Sequence, residues 1–126
     1  MAKIVVKPDC GNAPRKLFLK HFNTALANGK TEIVSESIAD DIKWDIPGSI
    51  SLSGKENFLD KIKSGIFWKV KELTIETIIT HGPDASVSGS IVDASGEKFS
   101  FCDIYKFSSA GSSIIKSVKS YIIEVQ

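Results

Sequence analysis

One acidic residue interrupts an aromatic pattern in the segment from Phe99 to Phe107. Every second residue there is aromatic except Asp103; the aromatic ones are Phe99, Phe101, Tyr105 and Phe107. Residues two apart in a strand share one face, so the pattern predicts that Asp103 lies on the core face. A carboxylate buried among aromatic rings protonates, finds a hydrogen-bonding or charged partner, or borders a cavity. Asp103 is therefore the leading candidate for proton-transfer chemistry.

A structural role for Asp103 is the alternative interpretation. The carboxylate could cap a nearby loop or pair with a lysine such as Lys119. Structural ion pairs perturb the pKa of an acid as readily as active sites do, so an unusual environment alone does not decide between the two roles. Both interpretations stay open on the sequence.

Asp45 is the candidate for a second catalytic carboxylate, because two acids in different environments can divide acid and base duties. It follows Trp44 and precedes the Pro47-Gly48 turn. Strict alternation, however, places Trp44 on the apolar side and groups Asp45 with Lys43 on the polar side. We therefore expect Asp45 to face solvent unless the strand bulges before Pro47.

Aromatic core residues are also candidate pocket residues, because a domain of this shape closes its core around its cavity. The candidates for a substrate pocket are Phe18, Phe22, Trp44, Phe58, Phe101, Tyr105 and Tyr121. The histidines, His21 and His81, titrate near neutrality if they reach such a pocket, but a surface position is the default for both.

Metal and cofactor motifs are not recognisable. The two cysteines and two histidines, Cys10, Cys102, His21 and His81, do not lie at metal-ligand spacing. The chain also has no phosphate loop and no nucleotide-binding fingerprint. We expect no metal and no cofactor.

Composition excludes several partners. The 126 residues include sixteen basic and fifteen acidic ones, a net charge of +1 without the clustered excess that nucleic acid binding requires. No apolar stretch approaches the length of a membrane span, and the run Ile4–Val6 is far shorter than a signal-peptide core. We expect a single domain spanning residues 1–126, in the cytoplasm, with no nucleic acid or membrane partner.

The first half of the chain is predicted to be helical. Helical spacing and end signals place three helices at residues 12–28, 31–38 and 53–65, with a short strand at 42–46. Asn12 and Thr31 are the expected N-caps of the first two helices, and Ser53 with Glu56 forms a capping box for the third. Residues 1–11 show no clear period and are expected to be a loosely ordered lead-in.

The second half is predicted to be a four-strand meander. The apolar period changes to two after Lys69, and turn clusters at residues 81–84, 93–96 and 108–111 separate the strands. Leu73, Ile75, Thr77 and Ile79 share one face of the first strand, which the helices must cover. The fold class is therefore α+β, with three N-terminal helices packed on an antiparallel sheet.

This layout resembles the nuclear transport factor 2-like superfamily, in its branch of SnoaL-like polyketide cyclases and ketosteroid isomerases. The resemblance runs from Asn12 to the end of the chain, and its best local matches are segments 25–29, 44–48 and 103–107, with Ser53-Gly54 opening the third helix. It implies a cone-shaped, cystatin-like roll whose curved sheet surrounds an internal pocket.

The resemblance to ketosteroid isomerase also implies roles for particular residues. Asp45 falls where that family keeps its proton-shuttling base, and Asp103 where it keeps a protonated acid that stabilises an oxyanion. The tyrosine of the same oxyanion hole is replaced by Phe22, and losing one such donor commonly costs about a hundredfold in rate. A steroid isomerase is therefore not expected.

Two functions remain open. In the first, an apolar molecule with an acidic C–H beside a carbonyl enters the cone, and Asp103, with Asp45, handles the proton. In the second, the domain is a non-catalytic module that binds an apolar ligand or dimerises through its outer sheet face. The resemblance implies a homodimer. The direction of Asp45 and the charge of the partners of Asp103 distinguish the two functions.

Overall fold

The computed structural model describes residues 2–8, 11, 13–64 and 70–126, which contain three helices and seven strands. In chain order the elements are β1 (Lys3–Val6), α1 (Pro14–Ala27), α2 (Thr31–Glu36), β2 (Ile38–Ile46), β3 (Ile50–Ser53), α3 (Lys55–Ser64), β4 (Val70–His81), β5 (Asp84–Asp93), β6 (Lys98–Phe107) and β7 (Ile115–Val125). The fold is α+β, as predicted. No helix among these residues is long and apolar enough to cross a bilayer.

The strands form one curved, unclosed sheet in the order β1-β4-β5-β6-β7-β2-β3. The four long strands β4 to β7 pair antiparallel, which confirms the predicted meander. Parallel pairings of β1 with β4 and of β2 with β7 extend it on both sides, so the complete sheet is mixed. The helices cover one face, which we call the inner face, and the opposite face is the outer face.

The N-terminal segment departs from the prediction. Instead of belonging to a loosely ordered lead-in, Lys3–Val6 pairs in parallel with Glu72–Ile75 of β4. The backbone N–H of Lys7 continues this ladder by donating to the carbonyl of Ile75 at 2.9 Å. Four residues are too few for a period to show in sequence, so the strand is detectable only through its long-range partner.

The helix ends also differ from expectation. Asn12, the expected cap of α1, lies outside the described residues, and the N-cap position is taken by Ala13. Thr31 is the first residue of α2 rather than its cap, which is Lys30. The second helix ends early because Ile38 already belongs to β2.

A bulge in β4 changes which residues face the core. Leu73 and Ile75 are buried as predicted, but the register with β5 shifts between Ile75 and Thr77. The inner position beyond the shift is therefore Ile78, while Ile79 is exposed on the outer face. The prediction that Thr77 and Ile79 share the inner face is wrong, because one extra residue reverses the alternation.

Arg15 fixes the start of α1 against the loops of the sheet. Its guanidinium donates to the carbonyls of Gly82 at 2.7 Å and Ala110 at 2.8 Å, and also to that of Ser112. The same group lies 3.9 Å from the centroid of the Phe107 ring, a cation–π distance. The helix that carries Phe22 and Asn23 is thereby anchored over the inner face.

Candidate functional site

Asp103 lies on the inner face of β6, as its aromatic pattern predicts. Asp103 is 4% exposed, and the residues directly opposite it on the neighbouring strands are Val87 in β5 and Ser120 in β7. Phe101, Tyr105 and other inner-face residues of β6 are buried with it. The sequence therefore places one carboxylate in the apolar core of the domain.

The carboxylate belongs to a buried polar chain. The hydroxyl of Tyr105 lies 3.1 Å from Oδ2 of Asp103 and donates a hydrogen bond to it. Asn23, on α1, donates from Nδ2 to the Tyr105 oxygen at 3.2 Å and to the carbonyl of Leu19 at 2.9 Å. One oxygen of Asp103 is thus fixed by a side chain that is itself held from the helix layer.

The second carboxylate oxygen of Asp103, Oδ1, lacks such a hydrogen bond. Oδ1 of Asp103 is buried and has no hydrogen-bond partner among the residues that the structure describes. The Ser120 hydroxyl is near enough to stabilise the charged form, but its geometry falls short of a hydrogen bond to Oδ1. Ser120 itself accepts a hydrogen bond from Nε1 of Trp44 at 3.0 Å. Buried polar atoms are rarely left unpaired, which makes Oδ1 the most unusual atom of the site.

Burial dominates the acidity of Asp103. Removal from water raises its pKa from the ordinary value of 3.8 to about 6, and the hydroxyls of Ser120 and Tyr105 oppose part of that rise. Burial likewise raises the pKa of Tyr105 well above its ordinary value, reinforced by the charge of Asp103. The carboxyl therefore changes protonation close to neutral pH, whereas the phenol stays protonated.

The expected alternative, an ion pair of Asp103 with Lys119, does not form. Lys119 pairs across the strands with Ile104 and is exposed on the outer face. The ion pairs of the described residues join Lys3 to Glu72, Lys55 to Asp40 and Lys106 to Asp84. Within the described part of the chain, the hydrogen-bond donors near Asp103 are therefore neutral.

Asp45 is not brought to the same site. Trp44 is buried on the inner face, and Asp45 follows it in unbroken alternation, beside the exposed Lys119 of β7. The register shift of β2 lies between Ile38 and Lys43. From Lys43 to Asp45 the strand pairs regularly with β7, so there is no bulge at Asp45. The two carboxylates accordingly occupy opposite faces of the sheet, as alternation predicted for Asp45.

Most of the predicted pocket residues do lie inside. Phe22, Trp44, Phe58, Phe101 and Tyr105 are buried, and Phe18 is half-buried against them. The Phe22 ring meets Tyr105 edge-on at 6.0 Å, and Trp44 lies 4.6 Å from Phe58 between ring centroids. Tyr121 is the exception: it is 44% exposed on the outer face opposite Cys102, so its assignment to the pocket is wrong.

These side chains fill much of the expected pocket. A small cavity of about 10 Å³ lies beside the polar chain, lined by Asn23, Leu26, Ala27, Val70, Leu73, Ile91 and Phe101. That volume matches about one water molecule. Asn23 links this cavity to Asp103 through Tyr105. A ligand larger than water must therefore displace core side chains to reach the acid.

The remaining titratable candidates lie elsewhere. His21 and His81 are exposed, on α1 and at the end of β4. The described residues contain no group of three side chains that could hold a metal ion. The inner face among these residues thus offers Asp103 and Tyr105 as its ionisable groups.

Asn23 and Ser120 are the site residues that sequence reasoning missed. Asn23 stands four residues after Leu19 on the buried side of α1, a polar residue in an apolar stripe. Ser120 is two residues after the buried Val118 in β7. A search for polar residues at core positions, the criterion that identified Asp103, could have found Asn23, whereas Ser120 is turned inward by a register shift in β7 that a single sequence does not reveal.

Comparison with known proteins agrees with this architecture. No family model and no curated protein matches the chain. A solved nuclear transport factor 2-like protein of unknown function from Cytophaga hutchinsonii is 25% identical, with a TM-score of 0.64, over 85% of this chain and 97% of that one.

Two further structures come from proteins with proposed or known chemistry. A proposed ketosteroid isomerase from Kribbella flavida has a TM-score of 0.74 and 16% identity, over 89% of this chain and 79% of its own. An LEH-like epoxide hydrolase from M. tuberculosis has a TM-score of 0.68 and 16% identity, over 85% and 80% of the two chains. The chain therefore has the nuclear transport factor 2-like fold, as the sequence resemblance implied.

Proposed function

We propose that the domain binds a small, mostly apolar molecule on the inner face of its sheet, with Asp103 contacting a polar oxygen of the ligand. The observation that supports this function is the unpaired Oδ1, buried among aromatic rings. Small-molecule sites combine apolar walls with a few fixed polar groups, and the surroundings of Asp103 have that composition. Because the cavity beside the site holds about one water, the proposal requires core side chains to move when the ligand enters.

The hydrogen bond from Tyr105 gives the two oxygens of Asp103 separate roles. Oδ2 is occupied by the phenol, so a proton or a ligand contact falls to Oδ1. The protonated acid donates from Oδ1 to a carbonyl oxygen, and the carboxylate accepts there from a hydroxyl group. Since the pKa of Asp103 is raised to about 6, both forms are accessible near neutral pH.

Proton transfer to or from a bound ligand is the catalytic extension of this function. Asp103 supplies one acid or base, and the proposed isomerase among the similar structures suggests chemistry of that kind. Two features favour binding alone: Asp45 lies on the opposite face, and Phe22, whose ring packs against Tyr105, has no hydroxyl to donate. We therefore place ligand binding first and isomerase- or cyclase-like catalysis second.

Phenol and cyclohexenone are suitable probes, because each joins one oxygen to a small apolar body. Each is titrated into the protein while the ¹³Cγ resonance of Asp103 is followed. We expect a saturable shift. Above pH 6, where phenol donates to the ionised acid, calorimetry should show that phenol binds Asp103→Asn at least about tenfold more weakly, the usual effect of losing a hydrogen bond to a charged group. Asp41→Asn, an exposed acid on β2, is the control. Non-saturable shifts, or equal weakening by both variants, would contradict the proposal.

A second function, homodimerisation, is supported by the outer face. Large apolar side chains are exposed there on neighbouring strands: Ile79, Ile104, Tyr121 and Ile123. Ile79 and Ile104 both pair with Ser86, so they lie in one row across the sheet. Exposed apolar clusters of this kind commonly mark protein interfaces.

Sedimentation tests the dimer directly. Ile104, 45% exposed, is replaced by lysine, and Leu17, 41% exposed on α1, is replaced in the same way as a control. We expect a dimer for the wild type and for Leu17→Lys, and a monomer for Ile104→Lys. A monomeric wild type at working concentration would remove this second function.

A further inference from the structure

Ser120 occupies an unusual position for a serine. It is 1% exposed in the middle of β7 and lies directly opposite Asp103 of β6. A serine hydroxyl has one proton to donate and two lone pairs to accept with. Leaving such a group unpaired in the core is costly, so its partners define its role.

Trp44 takes one of the accepting positions. Its indole N–H is 3.0 Å from the Ser120 oxygen, and its ring is held 4.6 Å from that of Phe58 on α3. An indole N–H can only donate, so the Ser120 oxygen accepts this bond and its own proton stays available. The nearest unsatisfied acceptor on the opposite strand is Oδ1 of Asp103.

We propose that Ser120, oriented by Trp44, is a positioning residue for Asp103. The Ser120 side chain shifts to donate its proton to Oδ1 when Asp103 is ionised, and it turns away when a ligand or a proton occupies that oxygen. This role rests on the proposed function for its biological use, since the same oxygen is the proposed ligand contact. It makes Trp44 an internal reporter of the state of Asp103.

The neighbours of Asp103 on each packed element determine which groups can affect its ionisation. Tyr105 is the titratable group beside it on β6, Val87 faces it from β5, and Asn23 reaches it through Tyr105 from α1. Cys102 is its sequence neighbour and points to the outer side of the strand. Among the described residues no charged side chain pairs with Asp103, so the rise in its pKa that burial causes is opposed by neutral donors.

The test follows Asp103 in the ligand-free protein by ¹³Cγ titration, in the wild type and two variants. Ser120→Ala removes the hydroxyl, and we expect the pKa of Asp103 to rise by about one unit, which a hydrogen bond to a charged group is worth. Ser120→Thr retains the hydroxyl and should restore the wild-type value. In the wild type, the indole N–H resonance of Trp44, assigned with Trp44→Phe, should titrate with the midpoint of Asp103.

Three results would overturn the proposed role of Ser120. An unchanged pKa of Asp103 in Ser120→Ala overturns the proposal, and a pKa that stays raised in Ser120→Thr assigns the effect to packing and overturns it too. An indole resonance of Trp44 that ignores the Asp103 transition does the same without any variant. Because these titrations use the ligand-free protein, their result does not depend on whether the proposed ligand binds.

Discussion

The Tyr105 hydroxyl donates to Oδ2 of Asp103 across 3.1 Å, between two residues of the same inner face of β6. The strand period of two brings them together, and the aromatic pattern around them excludes water. A neutral donor is thus the principal hydrogen-bonding partner of a buried acid. Burial raises the pKa of Asp103 to about 6, and this hydrogen bond opposes part of that rise.

Replacing Tyr105 with phenylalanine should affect both acidity and stability. The hydroxyl lowers the pKa of Asp103, so its loss should raise that pKa above about 6. The substitution also leaves Oδ2 of Asp103 without a partner and removes one of the two acceptors of Asn23, which should cost about 1–3 kcal/mol of unfolding free energy. NMR titration and urea denaturation measure the two effects. Tyr121→Phe, on the exposed outer face, is the control, and equal effects of the two variants would contradict the assignment.

Asp103→Asn should stabilise the protein at neutral pH. The folded protein binds the Asp103 proton more tightly than the unfolded chain does, because the pKa rises from 3.8 to about 6 on folding. Protonation of Asp103 is therefore fully stabilising below pH 3.8, and this contribution is lost as the pH rises through about 6. The asparagine variant avoids that loss, which amounts to about 3 kcal/mol.

The measurement compares the unfolding free energies of wild type and Asp103→Asn across pH 3.5 to about 7.5, so that titration of all other groups cancels in the difference. The variant's advantage should be absent at the acidic end and complete above pH 6. A difference that stays constant with pH would show that Asp103 has an ordinary acidity in the folded state.

The alternation of residues along a strand was sufficient to predict which residues of β6 face the core and which face of the sheet carries Asp45. In both places the alternation runs unbroken past the residue in question. The meander and its turns were also predictable, because turn residues and a period of two are local signals. The superfamily resemblance followed from the order of these elements.

Predictions failed where one extra residue changes the phase of a strand. Starting from the buried Ile115, alternation would turn Tyr121 inward, but the register with β6 shifts at Lys116. Ser120 therefore faces the core and Tyr121 faces out. The bulge in β4 exchanges Ile78 and Ile79 in the same way. Such shifts arise from pairing with a neighbouring strand, and a single sequence does not reveal them.

Long-range packing accounts for the other differences. The parallel strand β1 depends on β4, some seventy positions away in sequence. The extent to which aromatic side chains fill the cone depends on rotamers and mutual contacts, not on residue type. Residue types indicated which aromatic side chains face the core, but of the predicted pocket residues only Phe101 is among those that line the cavity of about 10 Å³.

Gly89 should not tolerate a side chain. A Cβ at this position would lie 1.9 Å from the carbonyl oxygen of Thr74, next to the bulge of β4. Because backbone must move to relieve that overlap, Gly89→Ala should lower the unfolding free energy by about 3 kcal/mol, the upper end of the usual cost of overpacking. Gly111→Ala has no neighbour within 4 Å and is the control. Equal stability of the two variants in urea denaturation would refute the prediction.

Arg15→Lys should loosen α1 although it retains the charge. The guanidinium reaches three carbonyls and the Phe107 ring at once, and an ammonium group cannot reproduce that planar geometry. We expect a loss of about 1–2 kcal/mol in thermal or urea unfolding. Lys16→Arg, one residue along the same helix, is the matched control. An unaffected Arg15→Lys variant would show that charge alone anchors the helix.

The pKa of Asp103 in the ligand-free protein tests the central claim most directly. It is measured by ¹³C-detected titration of the wild type, with Asp103→Asn assigning the resonance. The account predicts a midpoint of about 6, from a buried acid held by neutral donors. A midpoint at or below 3.8 would show a carboxylate stabilised by charge or strong hydrogen bonds, and would contradict the proposed ligand contact at Oδ1.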